Sequence, residues 1–387
     1  MDFNLTSEQK MLQKSVQEYI KAKIVPIADE YDRKGALDKK TALKFLKDLS
    51  PFGYVGTMVP EEMGGPGLNH VEWGIIFFEL RKAYASLGGM VGITSSTAAA
   101  ISKSNNELIK EKYLNALVKG EKIGCLAITE PDSGSDPSSI TTRAVLNGDH
   151  YVLNGSKMWI SNGTIADLAV VVAIISSSED DKGALGQIVV EQDVSPFESN
   201  EIHKIGVRSF PTAELSFNNC KVPKENILWP AGEGFGNIQQ TLTFARCNAA
   251  ISAVGIAEAS LEAAISHAKQ RKQFGKPIGK FQMIQQLISE MAIEIDAAKL
   301  LAFRALQMLD DGINCRKESS MAKAYATEMA VRVTSKGIQI FGAYGLADEY
   351  PMERYFRDAR CFTFLDGTTQ IQQLIIAREL LGLSALR

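Results

Sequence analysis

The densest cluster of residues that could take part in chemistry is the segment CLAITEPDSGSDPSS, residues 125–139. An apolar, strand-like stretch runs directly into Thr129, Glu130 and Pro131, and then into a turn rich in Ser and Gly. Turns of this composition expose backbone N–H groups and hydroxyls. The segment could therefore hold a phosphate or the polar edge of a flavin, and an ordinary polar loop is the alternative that composition alone leaves open.

The cysteine and histidine residues are too dispersed to suggest a metal site. No Cys-x-x-Cys pair occurs, and an odd, widely spaced set of cysteines argues against a disulfide framework. We therefore predict that these residues are structural and that no metal is bound. The cysteines are at positions 125, 220, 247, 315 and 361, and the histidines at 70, 150, 203 and 267.

Length and charge narrow the class of protein. A chain of 387 residues is long enough for about two or three packed domains. The 42 basic and 45 acidic residues give a net charge of −3 with no long basic run, so no nucleic-acid partner is predicted. The longest apolar run, Leu168–Ile175, is too short to cross a bilayer. Because the N-terminus, MDFNLTSEQKMLQKSV, is polar and unlike a signal peptide, we predict a cytoplasmic or processed organellar protein without membrane contact.

The elements that would position the reactive segment begin with a helical region. From Thr6 to about Lys119, apolar residues recur at helical spacing. Thr6 followed by Gln9 predicts a capping box at the start of the first helix. Three prolines and five glycines interrupt the pattern in residues 50–68, which predicts a loop there.

From about Ile123 to Leu228 the pattern is typical of strands. Asn-Gly pairs at 154–155 and 162–163 predict tight turns between strands. Further strand-like runs lie at 169–175, 186–190 and 214–217. A small antiparallel β domain is the simplest interpretation.

Helical periodicity returns from Gly236 onward. Two long stretches, residues 238–271 and 282–311, carry apolar stripes with few helix breakers. Their length predicts a helical bundle, and the faces of such bundles often make subunit contacts.

Five motifs in the same order along the chain resemble signatures of the acyl-CoA dehydrogenase family. The first is ITEPDSGSD, within the reactive segment. The others are MWISNG (158–163), IGVRSFPTAELSF (205–217), RKQFGKPIGKFQ (271–282), and QIFGAYGLADEYPMERYFRDAR (339–360) leading into LDGTTQIQ (365–372). The resemblance covers essentially the whole chain. It implies a mainly α fold with an N-terminal helical domain (1–121), a middle antiparallel β-barrel or sandwich domain (122–232) and a C-terminal four-helix bundle domain (233–387).

The resemblance implies FAD as the cofactor, bound between two subunits. Ser135 would contact the FAD pyrophosphate or the CoA portion of a substrate. The other residues expected to bind FAD in the same subunit are Leu126, Ile128, Thr129, Trp159, Ser161, Thr368 and Gln370. Those expected to reach the FAD of a neighbouring subunit, or to belong to that shared site, are Arg271, Gln273, Phe274, Gln282, Gln339 and Gly342.

The same resemblance implies a catalytic base at Asp366. Most family members carry Tyr-Glu-Gly-Thr where this chain has Leu365, Asp366, Gly367 and Thr368. Some relatives place the Glu just before Arg246 instead, but that position is Ala here. Asp366 is therefore the base expected to take the α-proton of an acyl-CoA thioester, with an ordinary Asp-Gly turn as the structural alternative. Gly367 is expected to contact the substrate beside it, and Arg246 is expected to pair either with the substrate or with Asp366.

The shorter base indicates an unusual acyl group. Asp reaches about 1.5 Å less far than Glu, and misplacement of this order costs about a hundredfold in rate. Small residues in 85–100, among them Gly88, Gly89 and Gly92, together with Leu365, could make room for a branched or alicyclic group, such as cyclohexanecarboxyl-CoA. Close helix packing is the alternative explanation of the small residues.

The resemblance also implies partners and competing functions. It implies a homo-oligomer, usually a tetramer, and an electron-transfer flavoprotein as electron acceptor. One alternative is a nitroalkane oxidase-like flavoenzyme that uses Asp366 as its base, although such enzymes pair the Asp with an Arg seven residues later, where this chain has Gln373. The other is a non-catalytic FAD-binding scaffold, against which the intact FAD motifs argue.

Overall fold

The computed structural model describes residues 4–385, apart from the side chains of residues 234–240. In this part of the chain, helices are followed by a sheet and then by longer helices. This order confirms the predicted mainly α fold with a central β region.

The first helical region packs around a shared apolar core. Its helices are α1 (Ser7–Lys23), α2 (Ala28–Lys34), α3 (Lys39–Leu49), α4 (His70–Ala83), α5 (Ala85–Ser102), α6 (Glu107–Ile109) and α7 (Asn115–Val118), with a π-helical turn between the last two. The capping box at α1 is confirmed, since Gln9 N donates to Thr6 Oγ1 at 3.2 Å and Thr6 N to Gln9 Oε1 at 3.1 Å. Residues 50–68 form turns and two short 3₁₀ segments, which confirms the predicted loop.

A mixed sheet of eight strands follows. Its strands are β1 (Gly124–Ala127), β2 (Arg143–Asn147), β3 (His150–Ser161), β4 (Leu168–Ser176), β5 (Ala184–Glu191), β6 (Glu198–Glu201), β7 (Thr212–Pro223) and β8 (Ile227–Trp229). The spatial order is β6-β7-β3-β2-β4-β5-β8, with β1 beside β4. Strands β1 and β2 each pair with β4 in parallel. The prediction of a purely antiparallel sheet is therefore wrong.

One of the two predicted Asn-Gly turns is wrong. Residues 162–163 do turn, but Asn154 and Gly155 lie inside β3. The pairing of β3 with β7 shifts register between Leu153 and Gly155, and Gly155 has a φ of +142°. An added Cβ at Gly155 would lie 2.5 Å from Thr142 Oγ1. The glycine therefore serves a bulge and a close approach of another strand rather than a hairpin turn.

The second helical region is a bundle. Its elements are α8 (Gly234–Gln270), the hairpin strands β9 (Lys272–Gln273) and β10 (Lys276–Pro277), α9 (Gln282–Asp310), α10 (Arg316–Phe341), α11 (Met352–Phe362) and α12 (Thr369–Leu381). Helix α4 packs on α8, so one apolar core runs through both helical regions. Residues 241–270 are long and apolar enough to cross a membrane by composition, but their most apolar window is 72% buried within the protein, as expected of a core helix.

The β region is joined to the bundle at Gly206. An added Cβ there would lie 2.2 Å from the backbone oxygen of Arg357 in α11. The next residue, Val207, has a φ of +45° and donates its N–H to the buried carboxylate of Asp358. Close backbone contact and a buried hydrogen bond therefore fix the sheet against α11.

We expect Gly206→Ala to lower the midpoint of thermal unfolding. The new methyl group would meet backbone atoms that cannot rotate away, and overpacking of this kind costs about 1–3 kcal/mol. Gly134→Ala is the matched control, because an added Cβ there meets nothing within 4 Å. Equal midpoints for the two variants, measured by circular dichroism, would show that the approach at Gly206 is not tight.

Candidate active site

A buried ion pair shapes the Ser- and Gly-rich turn after β1. Lys157 Nζ donates to Glu130 Oε1 at 2.8 Å and to the Ile128 carbonyl at 2.9 Å, and both side chains of the pair are almost fully buried. The Glu130 carboxylate also accepts from the backbone N–H groups of Thr141 and Thr142. Burial raises the pKa of Glu130, but these hydrogen bonds outweigh it and lower that pKa to about 2. Glu130 is thus a charged anchor that fixes both ends of the turn.

The end of β3 lies beside this turn. Met158 N donates to the Thr129 carbonyl at 2.9 Å, which brings Thr129 next to Trp159. Trp159 has a φ of +63° at a register shift of β3, and its side chain is 57% exposed. Non-glycine residues rarely adopt this backbone conformation, and it turns the indole out of the sheet.

Five of the residues expected to bind the flavin therefore lie on neighbouring strand ends. They are Leu126, Ile128, Thr129, Trp159 and Ser161, and all except the exposed Trp159 are half-buried. Ser135 is exposed in the turn that follows β1.

Asp366 lies in a tight turn between α11 and α12. Asp366 has a φ of +55° and Gly367 a φ of +90°. Lys323 Nζ, fully buried on α10, donates to the carbonyls of Thr363 at 2.9 Å and Gly367 at 2.7 Å. Gln372 Nε2 donates to the carbonyls of Asp366 at 3.1 Å and Gly367 at 3.0 Å. The turn is thus held at both ends by side chains of other elements.

The helix that follows the turn carries two more of the expected residues. Thr368 is the N-cap of α12, and its Oγ1 accepts from Ile371 N at 3.3 Å. Gln370 is exposed in the first turn of this helix. Helix N-termini bear a partial positive charge that favours anionic groups.

The Asp366 carboxylate is surrounded by positive charge. Burial raises its pKa to about 6, and the charges of Lys323, Arg246 and Arg81 oppose that shift. No residue in the part of the chain that the structure describes donates a hydrogen bond to this carboxylate. Arg246, on α8, is 7% exposed, and its Nε and Nη1 have no partner among the described residues. A half-buried carboxylate with a pKa near neutrality and free oxygens is suited to proton abstraction.

The residues expected to serve a neighbouring subunit form a separate exposed face. Phe274 is 92% exposed at a two-residue hairpin turn in which Phe274 and Gly275 both have positive φ, as in a type I′ turn. The Arg271 guanidinium lies 5.3 Å from the ring of Tyr344, which joins this hairpin to the end of α10. The exposed members of this face are Arg271, Gln273, Phe274, Gln282, Gln339 and Gly342. Among described residues, no hydrogen bond or ion pair joins this face to Asp366 or Trp159.

Sequence reasoning missed three charged residues of the site: Lys157, Lys323 and Arg81. Lys157 lies one residue before the motif MWISNG and two residues before Trp159. The alternation of side chains in a strand could therefore have indicated that it belongs to the site. Lys323 and Arg81 lie in ordinary helical stretches far along the chain from Asp366, and no local pattern distinguishes them from solvent-exposed cations.

We expect Lys157→Met to destabilise the protein and to reduce its flavin content. Removing one member of a buried ion pair leaves an uncompensated charge, which costs about 3–5 kcal/mol. Thermal unfolding and the flavin-to-protein absorbance ratio measure the two effects. Lys122→Met is the control, because Lys122 is partly exposed and lies 3.4 Å from Glu191; surface pairs contribute about 0–1 kcal/mol. Similar losses in both variants would contradict an anchoring role for the buried pair.

Comparisons with known proteins identify the family to which the chain belongs. Three family profiles match: "Acyl-CoA dehydrogenase, N-terminal domain" at residues 6–121, "middle domain" at 125–220 and "C-terminal domain" at 232–381.

Glutaryl-CoA dehydrogenase of Desulfococcus multivorans is 37% identical over 99% of this chain and 98% of its own length. The caffeyl-CoA reductase-Etf complex subunit CarC of Acetobacterium woodii is 35% identical over 97% of this chain and 99% of its own. The structure of a glutaryl-CoA dehydrogenase with glutaryl-CoA superimposes with a TM-score of 0.92, at 38% identity over 99% of this chain and 97% of that one. The chain therefore belongs to the acyl-CoA dehydrogenase family, whose members are FAD-dependent oxidoreductases that act on CH–CH bonds.

Proposed function

We propose that the protein removes the α-proton of an acyl-CoA thioester with Asp366 during α,β-dehydrogenation. The observation that carries this proposal is the environment of the Asp366 carboxylate. Hydrogen bonds from Lys323 and Gln372 fix the turn that holds it, and it accepts no hydrogen bond from the described residues. Its pKa is raised to about 6. A base with these properties is mostly ionised at neutral pH and is free to accept a proton. The aligned alternative position, Ala245, has no ionisable side chain.

The residues that would hold FAD have the chemistry that the cofactor requires. The exposed indole of Trp159 and the half-buried Thr129 and Ser161 would contact the ring system, while Ser135 and the N-terminus of α12 would serve its anionic part. When bound, FAD supplies the acceptor for the hydride that leaves the β-carbon. The chain's own task is to bind the ring, exclude water and hold Asp366 at the α-carbon.

Other groups near Asp366 would prepare the thioester for proton loss. We expect the backbone N–H of Asp366 to donate to the thioester oxygen, where negative charge develops as the α-proton leaves. The unpartnered N–H groups of Arg246 are available to the CoA portion of the substrate, and Gly367 lets the chain pass close to it. The charge of Arg246 favours the enolate-like transition state.

The acyl group that we propose is branched or alicyclic, as in cyclohexanecarboxyl-CoA. Two features support it: the short reach of Asp366, and Leu365, which is 39% exposed where most of the family has Tyr. The glycines of α5 do not support it. The side chain of Arg81 occupies the space beside Gly88 and Gly89, since an added Cβ at these glycines would lie 2.5 Å from Arg81 Cδ and 3.1 Å from its Nη1.

We propose that the protein is a homo-oligomer, a tetramer by resemblance. The support is the exposed face of Arg271, Phe274 and Gln282, which carries FAD-binding motifs yet has no described contact with the strand ends at Trp159. A second subunit would bring the two sets together. We also propose an electron-transfer flavoprotein as the electron acceptor, because a relative of similar length is a subunit of a reductase-Etf complex.

We expect Asp366→Asn to keep FAD and to bind substrate but to lose flavin reduction by at least about a hundredfold, the usual contribution of a general base. Anaerobic stopped-flow bleaching of the flavin measures the step directly. Near-normal bleaching in this variant would show that Asp366 is not the base. Turnover of nitroethane with oxygen, without bleaching by any acyl-CoA, would instead support the oxidase alternative.

We expect Asp366→Glu to change substrate preference. The longer side chain restores about 1.5 Å of reach, so the ratio of kcat/KM for butyryl-CoA to that for cyclohexanecarboxyl-CoA should rise by about tenfold or more. Leu365→Tyr is the companion variant, and it should lower activity with the alicyclic substrate because it fills the adjacent space. If the wild type prefers butyryl-CoA and neither variant alters the ratio, the proposed acyl group is wrong.

A further inference from the structure

Arg81 is a buried cation whose guanidinium lies near the ring of Phe362, four residues before Asp366. It lies in the last turn of α4 and is 3% exposed. Nη1 donates to the Ala85 carbonyl at 2.9 Å, and Nη2 donates to Asn248 Oδ1 on α8 at 3.2 Å. Its Nε has no partner among the described residues. No carboxylate in the described part of the chain forms an ion pair with it.

The glycines of α5 provide the space for this guanidinium. An added Cβ at Gly88 would lie 2.5 Å from Arg81 Cδ and 2.8 Å from Nε, and one at Gly89 would lie 3.1 Å from Nη1. At Gly92 the distance to Nη2 would be 3.5 Å, an ordinary contact. Each glycine in a helix costs about 1 kcal/mol relative to alanine. Gly88 therefore has a structural reason, because it leaves room for the Arg81 side chain, whereas the atoms nearest to an added Cβ at Gly89 belong to Phe210, at 2.7 Å.

The other side of the guanidinium faces the end of α11. The Phe362 ring centroid is 5.9 Å from Arg81 Cζ, and Phe362 is followed by the turn that contains Asp366. Burial lowers the pKa of Arg81 to about 9, and the negative charge of Asp366 opposes this shift. Arg81 is therefore still a cation at neutral pH.

The groups that face Asp366 come from several elements. The charged ones among the described residues are Lys323 on α10, Arg246 on α8 and Arg81 on α4, and α12 contributes the neutral Gln372. Lys323 is occupied by two backbone carbonyls of the turn. Arg246 has free N–H groups and is the cation that we assign to the substrate. Arg81 is fixed by Ala85 and Asn248, so its charge stays in place whether or not substrate is bound.

We propose that Arg81 is a positioning residue that keeps the carboxylate of Asp366 ionised near neutral pH. The inference rests on the proposed role of Asp366 as the base. Burial favours the protonated form of the carboxylate, and a fixed cation nearby favours the ionised form. Without Arg81, the Asp366 pKa should rise, and a larger fraction of the base should be protonated and inactive at neutral pH.

The test is the pH dependence of flavin reduction in Arg81→Met, a variant whose side chain keeps most of the packing and loses the charge. Reduction requires ionised Asp366, so the rate falls as the pH drops through its pKa. We expect the midpoint of this acid limb to move upward from its wild-type value by about half a pH unit or more. The rate at high pH should stay close to that of the wild type. Arg81→Lys, which keeps the charge, should restore the midpoint.

Two further variants keep the test decisive. Lys82→Gln removes the same charge from the same helix, but Lys82 pairs with Glu262 and does not act on Asp366, so its midpoint should not move. If Arg81→Met does not fold, Asn248→Asp keeps Arg81 and gives its guanidinium a competing carboxylate, and the midpoint should again move upward. A lower rate with an unchanged midpoint in these variants would overturn the inference and leave Arg81 a packing residue. Full flavin reduction by Asp366→Asn would instead overturn the proposed function itself.

Discussion

The position of Asp366 depends on the buried ammonium group of Lys323. That group donates to the carbonyls of Thr363 and Gly367 and so closes a turn in which two successive residues have positive φ. Burial lowers the pKa of Lys323 to about 8, and the charge of Asp366 acts in the opposite direction. The Lys323 ammonium and the Asp366 carboxylate therefore each favour the charged form of the other. Replacing this ammonium by an apolar group would remove one of the two hydrogen bonds that each carbonyl accepts, since Thr369 N also donates to Thr363 and Gln372 Nε2 also donates to Gly367.

Two carboxylates in this protein show how environment assigns different roles to the same chemical group. Glu130 accepts hydrogen bonds from Lys157 and from backbone N–H groups, and its pKa falls to about 2. Asp366 accepts none from described residues, and its pKa rises to about 6 although three cations act on it. Direct hydrogen bonds thus make Glu130 a permanent anion that fixes a turn. Charges that act without hydrogen-bonding the carboxylate leave Asp366 ionised but able to take a proton.

The sequence was informative where the structure is local or belongs to a recognised motif. The capping box at Thr6 and Gln9, the approximate limits of α8 and α9 and the order of the helical and β regions were predicted correctly because each depends on neighbouring residues. The pair Asn154 and Gly155 was misread because pairing with β7 overrides turn propensity. The parallel pairing of β1 with β4 joins segments about forty residues apart, which no local periodicity encodes. The glycines of α5 were noticed, but that they accommodate Arg81 from another helix is a tertiary fact.

With Asp366 as the proposed base, its short side chain requires the substrate, rather than the protein, to provide the close approach. The backbone at Asp366 is held by Gln372 on one carbonyl and, through Gly367, by Lys323. The backbone is therefore unsuited to advancing by the length of a methylene group. The α-carbon must come closer instead, and a substrate whose α-carbon carries a branch or belongs to a ring presents its proton differently from a straight chain. This constraint, more than any free volume beside the base, is the physical argument for the acyl group that we propose.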